Sequence, residues 1–190
     1  LRRTPDTLMA WSIVPASVPI VVLGLGFKDF ITTEARSLTI IAIALVLLAL
    51  LLLLAERLGP RDRDLSTLTF YRIQIIGLCQ ALALIPGCSR SGSTIMGGLF
   101  VGLGRAEAAR FSFLLGLPAI GGAGLLELLE LLAAGPGTDG LLNLALGITA
   151  AGISGYASIG FLLRFLERHG THAFALYRIG LGAWLLWTLY

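Results

Sequence analysis

Uncharged, mostly apolar positions run without interruption over Thr7–Phe27, Ser37–Ala55 and Gly140–Leu163. Each stretch is long enough to cross the hydrocarbon core as a helix, which takes roughly 20 residues. Ala106–Leu132 predicts a fourth crossing, with Glu107 and Arg110 in its first turn and Glu127 and Glu130 near its end. His172–Tyr190 predicts a fifth, closing on Trp184, Trp187 and Tyr190, residues suited to a membrane interface.

The segment 72–105 breaks this pattern. Ile73–Ser89 and Ser91–Gly104 are each short for a crossing, and Pro86-Gly87-Cys88-Ser89-Arg90-Ser91-Gly92-Ser93-Thr94 joins them. A Pro-Gly pair followed by hydroxyl residues and an arginine cannot continue as lipid-facing helix, because the freed backbone groups would find no partner in hydrocarbon. The pattern predicts a re-entrant hairpin over 72–105, its polar tip inside the protein. With that topology Arg2, Arg3, Arg57, Arg61, Arg63, Arg72, Arg105, Arg110, Arg164 and Arg168 share one face, against Lys28 and Arg36 on the other. Such a bias marks the cytoplasmic side. A single crossing through 72–105 would move Arg105 and Arg110 to the opposite face and weaken it.

Composition agrees. The chain is 56% apolar and 13% charged with a mean hydropathy of +0.89, whereas a soluble domain carries about 25% charged residues. The net charge of +3 comes without a basic stripe or interleaved aromatics, so nucleic acid is not an expected partner. Cys79 and Cys88 form neither a disulfide framework nor a metal spacing and read as small core residues. The expected fold class is an all-α integral membrane protein of about five full crossings plus one re-entrant hairpin. No linker divides it, so 1–190 is read as one transmembrane domain. The start at Leu1, without an initiator Met, raises the expectation of a fragment. Gly98, Gly102, Gly121, Gly122 and Gly124 are read as positions of close helix contact.

The chemistry concentrates at the tip. A turn feeding a helix N-terminus offers free amides and the positive end of the helix dipole, a natural anion site. Ser89, Ser91, Ser93 and Thr94 add hydroxyl donors, Gly87 and Gly92 allow close approach, and Arg90 can fork two phosphate oxygens. An intramembrane arginine is costly and argues for a partner. Gln80, nine residues before Ser89, points to the same cavity or to an interhelical hydrogen bond. Glu127 and Glu130 share a helical face at i, i+3 and could form a carboxylate pair, but at a helix end they read as solvated. His169 and His172 flank Gly170-Thr171 in a loop between spans and are not expected to be catalytic. Arg178 reads as snorkelling or paired inside the bundle.

The run from Gln80 through Pro86-Gly-Cys-Ser89-Arg90-Ser91-Gly92-Ser93-Thr94, with Arg110-Phe-Ser112-Phe-Leu-Leu, resembles the C-terminal signature of the undecaprenyl-diphosphate phosphatases, the bacitracin-resistance proteins. Pro19, Gly26-Phe27-Lys28-Asp29-Phe30 and Tyr177-Arg178 extend the resemblance over nearly the whole chain. It implies a multi-pass enzyme of the bacterial inner membrane that removes the terminal phosphate of undecaprenyl diphosphate, recycling the lipid carrier for cell-wall synthesis. It also implies inverted repeats and a divalent cation, Mg2+ or Ca2+. Arg90, Ser89 and Ser91 would be catalytic, and Gly92, Ser93, Thr94 and Gln80 would bind the substrate phosphates. Partners would be the lipid diphosphate, the bilayer and a second copy in a homodimer. Family members carry a glutamate-rich EGxTEFLPxSSTGH-like motif in a first repeat, and nothing in 1–190 matches it. The chain is therefore expected to be the C-terminal part of such an enzyme, needing an upstream repeat for activity, with metal ligands unassigned. The alternative is a transporter or flippase that binds a polyprenyl phosphate without cleaving it.

Overall fold

The computed structural model describes residues 5–135 and 137–189. Among them eight α-helices follow in order: α1 (Pro5–Gly26), α2 (Lys28–Thr32), α3 (Leu38–Leu58), α4 (Phe70–Ala81), α5 (Arg90–Phe100), α6 (Arg105–Ala133), α7 (Gly137–Arg168) and α8 (His172–Leu189). The helices α1, α3, α6 and α7 carry stretches long and apolar enough to cross a membrane. Helix α8 spans eighteen residues, but it is not in that group; His172 and Arg178 lower its hydropathy. Arg2, Arg3, Pro136 and Tyr190 lie outside the described residues.

Ser37 starts α3 by accepting a hydrogen bond from the Ile40 amide (3.4 Å), and Gly59 ends it. Pro15, Pro19 and Pro118 are absorbed within α1 and α6. Between α4 and α5 the chain breaks where the Pro-Gly pair stands.

Pairwise packing surrounds this break: α1 lies on α4, α3 on α8, and α5 on α6, α3 and α4. Helix α5 is the centre of the molecule, with every residue from Ser93 to Leu99 buried. Leu48, Leu52, Ile73, Ile76, Phe111 and Leu115 close around it from α3, α4 and α6. Close approach depends on small residues. A Cβ at Gly77 would strike the Ala16 carbonyl of α1, and one at Gly98 would lie 2.8 Å from Ala108 Cβ of α6. Gly121, Gly122 and Gly124 correct the packing expectation: they lie on an exposed part of α6, and a Cβ there would meet nothing within 4 Å among the described residues. Most of α7 is exposed in the same way.

Both outer ends of the α4–α5 hairpin meet the loop that follows α3. Helix α4 continues from that loop, and past α5 the Arg63 amide donates to Gly102 O (3.1 Å) while Arg63 Nη1 donates to Val101 O (2.5 Å). Close by, Arg105 pairs with Glu56 at 2.5 Å. The second Glu56 oxygen accepts from the Thr171 amide (2.7 Å) and the Thr171 hydroxyl. Glu56, only 1% exposed, thus ties the ends of α3, α6 and α8 together.

Candidate functional site

The break is built in steps. Helix α4 ends at Ala81, a 3₁₀ turn covers Leu82–Leu84, and the Cys88 amide donates back to Ile85 O at 3.0 Å. Gly87 takes φ +96°, a left-handed conformation that a side chain would strain, and a Cβ there would lie 2.6 Å from Ile41 O of α3. Ser89 then caps α5: its Oγ accepts from the Gly92 amide (3.2 Å), and its carbonyl takes the Ser93 amide (2.9 Å). The amides of Arg90 and Ser91 precede the first intrahelical bond and have no acceptor within the helix.

From this cap the side chains diverge to two faces. Arg90 leans onto α6, where Nη1 donates to Ser112 O at 3.2 Å. Its guanidinium occupies the space over Gly116, and a Cβ at that position would overlap it. On the same side the hydroxyls of Thr94 and Ser112 share a hydrogen bond, and the Thr94 hydroxyl also lies 2.9 Å from Arg90 O. The second face belongs to Ser89, Ser91 and Gly92. They line a cavity of about 260 Å³ whose other walls are Leu48, Leu52, Ile95, Leu162, Leu166, Thr171, Phe174, Tyr177 and Arg178. The Ser89 and Ser91 hydroxyls stand 3.2 Å apart. Arg178 reaches from α8 to donate Nη2 to the Gly87 carbonyl.

Of the residues singled out in the sequence, Ser89, Ser91 and Gly92 therefore share one cavity, while Arg90 and Thr94 meet at α6. Gln80 and Ser93 are fully buried, their side-chain polar atoms have no hydrogen-bond partner among the described residues, and neither lines that cavity. Glu127 and Glu130 are exposed on α6. His169 stacks on Phe165 with ring centroids 4.5 Å apart, and His172 lies 3.9 Å from Glu56. Cys79 and Cys88 are both free thiols.

Two participants were missed by sequence reasoning. Ser112 stands in the sequence only as part of a motif, although it holds Arg90. Gly116 is the space Arg90 fills, and its spacing of four from Ser112 puts it on the same helix face. Arg178 takes the paired alternative of its expected reading, and its partner, the Gly87 carbonyl 91 residues away, left no local signal. The tip does not suit a divalent cation: its donors are hydroxyls and a guanidinium, and among the described residues no three of His, Cys, Asp and Glu stand together.

Four membrane-length helices together with a broken, arginine-bearing hairpin define a polytopic helical membrane protein. Sequence comparison narrows the class: the family model described as Bacitracin resistance protein BacA matches residues 2–184, and the chain belongs to that family. The undecaprenyl-diphosphatase of Chloroherpeton thalassium is 50% identical over 192 residues, covering 95% of this chain and 67% of that protein. The one from Chlorobium phaeobacteroides is 50% identical over 195 residues, covering 97% and 68%. That of Trichodesmium erythraeum is 49% identical over 188 residues, covering 97% and 60%. This chain thus spans 60% to 68% of the length of these three relatives.

Proposed function

We propose that this protein hydrolyses undecaprenyl diphosphate to undecaprenyl phosphate and inorganic phosphate in the bacterial inner membrane. Membership of the BacA family and relatives named undecaprenyl-diphosphatase support the reaction. The observation that carries it to these residues is the cavity beside the α5 cap. Half of its lining is leucine, phenylalanine and tyrosine, and its polar groups are Ser89, Ser91 and the start of α5 with Thr171 and Arg178. That combination suits an amphiphile with a phosphate head, since the apolar wall takes the lipid while the helix terminus and hydroxyls take the anion.

In this reading the Arg90 and Ser91 amides and the Ser89 and Ser91 hydroxyls cradle the terminal phosphate. Arg90, turned from Ser112 O, stabilises the charge that grows on it during transfer. Water adds to the terminal phosphorus, the anhydride P–O bond breaks, and undecaprenyl phosphate leaves. Gln80, Ser93 and Thr94 belong to the wall behind the cradle. No carboxylate among the described residues lines the cavity, so we assign water activation to the glutamate-rich repeat that the resemblance implies, and no step is routed through a metal. The hairpin is read as re-entrant from the cytoplasmic side.

The full-length protein, reconstituted in vesicles with undecaprenyl diphosphate, tests the reading. Release of inorganic phosphate with accumulation of the monophosphate is expected. Movement of the intact diphosphate between leaflets without phosphate release would support a transporter instead.

A further inference from the structure

Arg178 stands in the first half of α8, within an apolar helix where a guanidinium is costly unless it has a partner. Its Nη2 donates to the Gly87 carbonyl, its Nε is buried with no hydrogen-bond partner among the described residues, and the side chain also lines the cavity beside the α5 cap. Helix α8 does not need this bond to stay in place. It is locked to α3 at Gly182, where a Cβ would lie 2.7 Å from Val46 Cγ2 and 2.8 Å from Ala42 O. In the turn, Gly87 is half-buried in a left-handed conformation, and the Arg178 guanidinium holds its carbonyl. Two residues after Gly87, Ser89 sets the direction of the α5 cap and its free amides.

From this geometry we infer that Arg178 is a positioning residue for the phosphate cradle, acting through the Gly87 carbonyl and not by gripping the substrate. The inference rests on the phosphatase reading for its kinetic consequence, while its structural consequence stands by itself. The rigid α3–α8 pair carries the guanidinium to the tip and fixes the peptide after Gly87. That orients Ser89 and the Arg90 and Ser91 amides before a headgroup arrives. Because phosphoryl transfer depends on alignment, a loosened turn misplaces the bound phosphate against Arg90 and lowers turnover more than binding.

The test compares wild type, Arg178→Met and Arg178→Lys in the full-length protein, after checking that each variant is monodisperse. Hydrogen exchange is followed over residues 85–94, and phosphate release is measured across a range of undecaprenyl diphosphate concentrations. Arg178→Met is expected to speed exchange in the tip and to lower kcat roughly 10-fold to 100-fold with KM changed by less than about threefold. Arg178→Lys, which keeps a donor for the carbonyl, is expected to restore part of both. Unchanged tip exchange in Arg178→Met, or a rise in KM with kcat intact, would overturn the inference. If wild type itself releases no phosphate, the phosphatase reading fails, and tip exchange alone still decides whether Arg178 holds the turn.

Discussion

Arg90 owes its position to residues more than twenty places away. Its guanidinium is oriented by the Ser112 carbonyl and seated over Gly116, so a methyl group at 116 must push it off that seat. Gly116→Ala is therefore expected to lower the melting midpoint in detergent, because the displaced guanidinium loses its seat against α6. The melting midpoint of the variant checks it, and a wild-type midpoint would contradict the arrangement. The tip was legible in the sequence because Pro-Gly, four hydroxyls and an intramembrane arginine cannot be reconciled with lipid-facing helix. What could not be read was where each side chain goes. Adjacent residues at the start of a helix point about 100° apart, so Arg90 faces α6 while Ser89 and Ser91 line the cavity, and only the packing of α5 on its neighbours decides which faces meet what. Gln80 shows the same limit, since its spacing allowed either a cavity or a helix contact and the fold buries it unpaired.

Between elements, the Glu56 knot and the α3–α8 seam hold the frame on which the tip rests. Glu56 is enclosed and shared by Arg105 and Thr171. Glu56→Gln removes the charge that Arg105 answers and should cost about 1–3 kcal/mol, tempered by the partial exposure of Arg105. A lowered melting midpoint in detergent is the expected result, and an unchanged midpoint would deny the knot its role. Gly182→Val should separate α3 from α8, because the added carbons collide with Val46 and Ala42. The same melting experiment reads it, together with faster exchange along α8. Helix existence was plain from the long apolar stretches: three membrane-length helices fall on the charge-free ones and a fourth on Ala106–Leu132, while the expected fifth crossing, α8, is not in that group. The knot was not, because a glutamate at the end of an apolar run looks like an ordinary interfacial charge until residues 49 and 115 positions away come to it.

At the scale of the molecule, the expected topology places the loops around Arg57–Arg72, Arg105–Arg110 and Arg164–Arg168 on one side, with Lys28 and Arg36 on the other. The bonds of Arg63 to Val101 and Gly102, and of Arg105 to Glu56, gather the ends of the hairpin in one place. Single cysteines at Asp64 and Arg110, with Cys79 and Cys88 replaced, should label from the same side of sealed vesicles, and one at Glu34 from the opposite side. Labelling of Asp64Cys and Arg110Cys from opposite sides would make 72–105 a crossing and remove the re-entrant tip. The broad apolar faces of α6 and α7, exposed here, fit a chain surrounded by lipid and further protein. The proposed reaction is cleavage of a lipid diphosphate at the α5 cap, with Arg90 stabilising the transferred phosphate. Its most direct measurement is phosphate release from undecaprenyl diphosphate by full-length wild type beside Arg90→Ala. A loss of at least about 100-fold in kcat/KM, with melting midpoint retained, is predicted; release by Arg90→Ala at the wild-type rate would contradict it.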